Sequence, residues 1–75
     1  MGKLPRVSEK DMIRFLERQG FVLRRVRGSH HILVKGSLHV PVPVHGNENL
    51  RTGTLGSILR LANMKPEEFE RLWRV

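Results

Sequence analysis

Two short turn sequences divide the middle of this chain into three segments, and this division constrains the fold more than any other feature. The turns are Arg27-Gly28-Ser29 and Lys35-Gly36-Ser37, where glycine supplies a positive φ at little cost. The segments are rich in β-branched and aliphatic residues and run from Phe21 to Arg27, His31 to Val34 and Leu38 to Val42. The pattern predicts a three-stranded antiparallel meander.

A helical pattern precedes the three strands. Ser8 is a good N-cap, acidic residues follow it in the first turn, and Gly20 is a typical C-terminal stop. The apolar residues recur at helical spacing and are Met12, Ile13, Phe15 and Leu16. We therefore expect an amphipathic helix between Ser8 and Gly20.

Two further helices are predicted after the strands. A polar loop from Val44 to Arg51 leads to a helix that begins near Thr52 or Thr54, and either threonine could cap it. The apolar stripe of that helix consists of Leu55, Ile58, Leu59 and Ala62. Pro66 suits the first turn of a last short helix, and the residues expected to close the core are Phe69, Leu72 and Trp73.

The order of these elements predicts one α+β domain spanning residues 1–75. It is α-β-β-β-α with a short C-terminal helix, in which the helices pack on one face of the antiparallel sheet. The same order describes a double-stranded-RNA-binding fold. Pro41 and Pro43 cannot donate to a ladder, so the third strand should lie at an edge of the sheet or fray at its end.

The charge of the chain is concentrated in its middle. The formal net charge is +7 on 75 residues, and no acidic residue lies between Glu17 and Glu48. That stretch also holds all four histidines, and its strong positive charge favours a polyanion ligand over a merely solvated basic face. The chain has no cysteine and no apolar run long enough for a membrane span. We expect a cytoplasmic protein without disulfides.

The four histidines admit a metal site, acid–base chemistry or ordinary surface positions. His30 and His31 are neighbours, so on a strand they face opposite sides, and His39 and His45 match no ligand spacing, so no metal site is expected. Imidazole among cations can transfer protons at a phosphodiester, and RNA supplies its own nucleophile, the 2′-hydroxyl. Strand alternation leaves two choices for the packed face of the second strand. His30, Ile32 and Val34 share one face, and this set is more core-like, which would place His30 at the rim of the packed face; His31, Leu33 and Lys35 share the other face.

The chain resembles the HicA family of toxins over nearly its whole length, from about Lys3 to Trp73. The resemblance rests on Gly28-Ser29-His30-His31 after a Gly20-Phe21 helix stop, and on the segment from Val42 to Leu59, VPVHGNENLRTGTLGSIL. Members are small mRNA interferases of type II toxin–antitoxin modules. Gly56 departs from the family pattern, which more often has a larger and frequently basic residue there.

The resemblance implies a double-stranded-RNA-binding-like fold, translation-independent cleavage of mRNA, and neutralisation by a HicB-type antitoxin. Because RNA supplies its own nucleophile, no cofactor is expected. The resemblance also implies that the essential histidine is His30, acting as general base or general acid. Gly28 would shape the turn that presents His30, and His45 is a possible second proton-transfer group or a loop-ordering residue. The candidate RNA contacts are Arg24, Arg25, Arg27, Ser29, His31 and Lys35. Two alternatives to a ribonuclease remain. One is an inactive RNA-binding module, and the other is a domain that binds only an acidic protein.

Overall fold

Three helices and three strands make up the computed structural model, which describes residues 5–73. The helices are α1 (Glu9–Arg18), α2 (Thr52–Leu61) and α3 (Pro66–Trp73), and the strands are β1 (Val22–Arg27), β2 (His30–Lys35) and β3 (Leu38–Pro43). This α-β-β-β-α-α order with an antiparallel sheet confirms the predicted α+β, double-stranded-RNA-binding-like fold. Lys3, where the family resemblance begins, lies outside the described residues.

Two tight hairpins order the strands as β1-β2-β3, so β2 is central. Each hairpin loop has two residues, and Gly28 (φ +58°) and Gly36 (φ +60°) occupy the first loop position. A positive φ at that position is what a type II′ hairpin turn requires. The predicted edge position of β3 is confirmed, because Pro41 and Pro43 pair with β2 on one side only.

A β-bulge interrupts the pairing of β1 with β2. Leu23 pairs with Leu33, whereas the next pair along the ladder joins Arg25 to Ile32. Arg24 is therefore an extra residue in β1, and a bulge of this kind bends and twists its strand. The sequence contains no local signal for it.

The helices cover one face of the sheet, and the described residues share one hydrophobic core. Its residues come from every element except β1, and they are Val7, Met12, Phe15, Leu16, Phe21, Leu33, Val40, Val42, Leu55, Ile58, Leu59, Ala62 and Phe69. The prediction that α3 closes the core is confirmed. The Phe69 ring packs edge-on to Phe15 with centroids 5.0 Å apart, and Trp73 lies 5.7 Å from Phe15.

The expectation about the packed face of β2 is wrong. Leu33 is fully buried, with 0% of its surface exposed, whereas Ile32 and Val34 are only half-buried and His30 is exposed. Since side chains alternate along a strand, His30 lies on the open face of the sheet and not at the rim of the core. The two sets on β2 are similar in hydrophobicity, so the local pattern alone could not choose between them.

The ends of α1 confirm both predicted signals. The Ser8 hydroxyl accepts a hydrogen bond from the Asp11 backbone N–H at 3.1 Å. Gly20 (φ +98°) donates its N–H to the Glu17 carbonyl, and the Phe21 N–H reaches the Leu16 carbonyl at 2.9 Å. This pair of bonds is a Schellman motif, which ends the helix and points the chain towards β1.

The start of α2 differs from the expectation in one respect. The helix begins at Thr52, but neither threonine caps it. Arg51 occupies the N-cap position and makes no side-chain capping bond. The backbone at Arg51 is extended (φ −71°, ψ 152°), as is usual at an N-cap. The C-terminal end is a second Schellman motif, with Asn63 (φ +58°) in the glycine position.

Candidate nucleic-acid interface

His30 is the first residue of β2 and directly follows the Gly28-Ser29 loop. Its side chain is exposed, and its ladder partners are Arg27 on β1 and Pro43 on β3. The hairpin thus holds the imidazole at one end of the open sheet face, beside an arginine-bearing strand. An accessible imidazole next to cations is suited to proton transfer at a bound phosphate.

An open cavity of about 430 Å³ lies on the same face of the sheet. Its lining residues are Arg24, Arg25, Arg27, Ile32, Val34 and His39. The bulge accounts for this concentration of charge, because it lets the neighbouring residues Arg24 and Arg25 both border the cavity. Three guanidinium groups around an apolar floor can bind phosphates at the rim and contact a base or sugar in between.

A second feature at this end of the sheet is the buried carboxylate of Glu9, which is 3% exposed. Its Oε1 atom accepts hydrogen bonds from the backbone N–H groups of His45 (2.6 Å) and Glu48 (3.1 Å). Its Oε2 atom lies 3.5 Å from Nδ1 of the His45 imidazole. Glu9 therefore holds the loop that carries His45 against the first turn of α1.

The pKa of Glu9 reflects these contacts. Burial by itself raises the pKa of this carboxyl, but the backbone N–H groups of His45 and Glu48, together with the His45 imidazole, lower it. The net result is a pKa below the ordinary value of 4.5, so the carboxylate is charged near neutral pH. A charged Glu9 can orient the His45 ring through Nδ1 and leave Nε2 available to solvent.

The loop bearing His45 is also tied to the turn that presents His30. The Val44 backbone N–H donates to the Ser29 carbonyl at 2.6 Å, and Pro43 pairs with His30. Both histidines therefore sit at the same end of the sheet, although 15 positions separate them in the sequence. The His45 side chain is 57% exposed and accessible to a ligand bound there.

A second open cavity, of about 380 Å³, borders this loop. Its lining residues are Glu9, Pro43, His45, Glu48, Asn49, Leu50, Arg51 and Thr54. Glu9 and Arg51 were not among the residues singled out from the sequence. Glu9 gave no signal beyond its place in the first turn of a helix, where acids are common, and its role depends on contacts with residues 36 and 39 positions away.

His31 and Lys35 lie on the packed side of β2 rather than beside His30. His31 is half-buried, and its Nδ1 atom has no hydrogen-bond partner among residues 5–73. The Lys35 ammonium donates to the Gln19 carbonyl at 2.7 Å, at the C-terminal end of α1, and lies 5.9 Å from the Phe21 ring centre. Arg24, Arg25, Arg27 and His30 therefore lie on the open face of the sheet, whereas His31 and Lys35 lie on its packed side.

Two further properties of the described part of the chain bear on ligands. Within residues 5–73, no three histidine or acidic side chains come together as metal ligands. None of the helices there is long and apolar enough to cross a membrane.

A protein-family model matches most of the chain. The family model described as "HicA toxin of bacterial toxin-antitoxin" matches residues 10–64, well over half of the chain. The matched range contains the Gly28-Ser29-His30 turn, the arginines of β1, His45 and all of α2. The comparison with curated proteins finds no match.

Proposed function

The chain belongs to the HicA family of toxins from bacterial toxin–antitoxin systems, and from this premise we propose that it is an endoribonuclease that cleaves mRNA. In this proposal the cleavage inhibits translation and growth, takes place in the cytoplasm and requires no cofactor. A HicB-type antitoxin neutralises the enzyme. The observation that carries the proposal is the exposed His30 at the end of an arginine-lined open sheet face.

The proposed reaction is a transesterification within the RNA. The 2′-hydroxyl oxygen attacks the adjacent phosphorus, the bond from phosphorus to the 5′-oxygen breaks, and a 2′,3′-cyclic phosphate and a 5′-hydroxyl result. One group must accept the 2′-hydroxyl proton and another must protonate the leaving oxygen. His30 performs one of these steps, and His45, oriented by the Glu9 carboxylate, is the candidate for the other.

The arginines of β1 bind the substrate and stabilise the transition state in this proposal. Arg24, Arg25 and Arg27 bind phosphates of the strand and stabilise the negative charge that grows on phosphorus in the transition state. Ile32 and Val34 offer an apolar surface for a splayed base. Single-stranded RNA fits this face better than a rigid duplex, because cleavage of this kind needs a strand that can rotate its 2′-hydroxyl in line with the leaving oxygen.

The proposal is tested by comparing His30→Ala with Arg60→Ala, an exposed residue of α2 that lines neither of the two cavities described above. We expect His30→Ala to reduce RNA cleavage by about 10²- to 10⁴-fold and to abolish growth arrest, while Arg60→Ala keeps most of the activity. Wild-type cleavage should persist in EDTA and cease when the scissile 2′-hydroxyl is replaced by hydrogen. A folded His30→Ala protein that cuts RNA at the wild-type rate would disprove the proposal.

A substrate with sulfur in place of the 5′-bridging oxygen assigns the two histidines, because the thiolate leaves without protonation. If His45 is the acid, His45→Gln should be slow on ordinary RNA and close to wild type on the sulfur substrate. If His30 is the acid, the rescue should appear in His30→Ala instead. Unchanged cleavage of both substrates by His45→Gln would leave His45 with only the loop-ordering role.

A non-catalytic RNA-binding module is the second candidate function. The arginine-lined cavity favours it independently of the histidines, because phosphate binding needs no proton transfer. Salt-sensitive RNA binding with intact RNA and no growth arrest would support this candidate. Binding to an acidic protein with no RNA binding at low salt would support a purely protein-binding domain.

A further inference from the structure

We propose that the outer edge of β1 is a docking edge for an extended segment of a partner protein in which acidic and apolar side chains alternate. The segment adds to the sheet as a fourth strand beside β1. The inference rests on the proposed function in one respect, that the chain has a protein partner, and it does not require RNA cleavage.

The first support is the position of β1. It is an edge strand, and in the described part of the chain no strand pairs with its outer side. All six of its residues are exposed. An edge strand of this kind presents unpaired backbone N–H and C=O groups, which an added strand can satisfy.

The second support is the exposed apolar surface on the packed side of β1. Leu23 and Val26 pair with Leu33 and His31, which lie on the packed side of β2. Even so, Leu23 is 39% exposed and Val26 is 54% exposed. No residue of β1 belongs to the buried core, so these two side chains form an apolar strip that a neighbouring strand would bury.

The third support is the charge on the open side of the same strand. Arg25 and Arg27 pair with Ile32 and His30 on the open face, and the bulged Arg24 borders that face too. An added strand would therefore meet cations on one face and apolar side chains on the other. Since side chains alternate along a strand, its matching sequence alternates acidic with apolar residues.

The outer edge of β3 is less suited to pairing with an added strand. β3 carries Pro41 and Pro43, which have no N–H to donate to a further strand. Two of the six residues of that edge are thus removed as donors, whereas β1 contains no proline. The backbone favours β1 as the docking edge.

Charge also excludes a second copy of the chain as the occupant. Two β1 strands side by side would bring the three arginines of each within reach of the other, and like charges across a strand pair are destabilising. Arginines and a bulge on an edge strand protect a protein against such self-pairing. The same arginines attract an acidic segment, so the edge disfavours a second copy of the chain but accepts an acidic partner.

Docking at this edge would also affect the open face. Acidic side chains paired with Arg25 and Arg27 would occupy the cations that the proposed function assigns to RNA phosphates. A partner that uses the β1 edge would therefore compete with RNA without filling the cavity itself.

The test uses a synthetic peptide of about eight residues in which Glu and Val alternate, with isotopically labelled full-length protein. Amide hydrogen exchange measured by NMR reports whether backbone N–H groups of β1 become protected, which a side-chain contact alone would not achieve. The control peptide has the same composition with the glutamates and valines in separate blocks. The control variant is Arg60→Glu, an exposed arginine on α2.

We expect the alternating peptide to protect outward-facing amides of β1, and Arg25→Glu to weaken its binding on the order of tenfold, while Arg60→Glu leaves it unchanged. Equal binding of the block peptide, or binding without new protection in β1, would overturn the proposal in favour of simple charge attraction. The same protection produced by single-stranded RNA would overturn it in favour of a nucleic-acid surface. The peptide readouts do not depend on whether the protein cleaves RNA.

Discussion

Glu9 is the residue on which the geometry of the candidate site most depends. Among residues 5–73 it is the one buried charged side chain, and its carboxylate bonds two N–H groups of the loop that follows β3. The same region adds a bond from the Glu9 N–H to the Glu48 carbonyl and one from the Lys10 N–H to the Asn47 side chain. The Glu9 carboxylate, together with these two backbone donors, therefore joins the start of α1 to the loop that carries His45.

We predict that Glu9→Gln destabilises the fold at neutral pH by about 1.5–3 kcal/mol, because hydrogen bonds to a charged acceptor are stronger than those to a neutral one. The pKa of Glu9 is lower in the folded state than the ordinary 4.5. The stabilisation is therefore present above about pH 4.5 and is lost as the pH falls through the folded-state pKa.

Urea denaturation of both proteins between pH 3 and pH 7 measures the effect, with Glu17→Gln, an exposed glutamate of the same helix, as the control. The difference in unfolding free energy between wild type and Glu9→Gln should shrink at the acid end. A difference that does not change with pH would contradict the prediction.

At the level of elements, the turn of the first hairpin determines where His30 lies in the candidate site. Gly28 has a φ of +58° and precedes His30 by two residues. The second hairpin repeats the arrangement at Gly36, but at the end of the sheet away from His30. A local requirement for glycine thus sets the direction in which β2 enters the sheet and presents its first side chain.

Two glycines allow a matched test of this requirement, because a Cβ atom added at Gly28 or Gly56 would meet nothing within 4 Å. We predict that Gly28→Ala lowers the unfolding free energy by about 1–2 kcal/mol, since alanine is strained at positive φ, and reduces RNA cleavage. Gly56→Ala, within α2, should raise the unfolding free energy by about 1 kcal/mol through helix propensity. Thermal or urea unfolding measures both, and a Gly28→Ala protein as stable as wild type would refute the argument.

At the level of the whole molecule, the +7 net charge is distributed so that the open sheet face carries arginines while the packed face is closed by helices. The acidic residues lie before or after the strands, so no carboxylate from the chain between Glu17 and Glu48 neutralises the face. A basic surface of this kind gives RNA binding a steep dependence on salt.

We predict that Arg25→Gln reduces the slope of log Kd against log salt concentration by about 0.7 for single-stranded RNA, which corresponds to one lost phosphate contact. Arg60→Gln, on the exposed surface of α2, serves as the control and should leave the slope unchanged. Binding titrations of the catalytically impaired His30→Ala background at several salt concentrations measure the slope. Equal slopes for Arg25→Gln and wild type would show that Arg25 does not contact an RNA phosphate.

The sequence by itself determined the order of the elements, both hairpin turns, the ends of α1 and the family. The local features among these depend on residues only a few positions apart in the chain. Ser8 accepts a hydrogen bond from an N–H three positions away, and the positive φ at the first turn is a property of Gly28 alone. Only the tertiary structure decided which face of β2 is packed, where the bulge puts Arg24, and what Glu9 does. Each of these depends on partners distant in the chain, as when Leu33 is buried beneath the helices or Glu9 bonds residues 36 and 39 positions away.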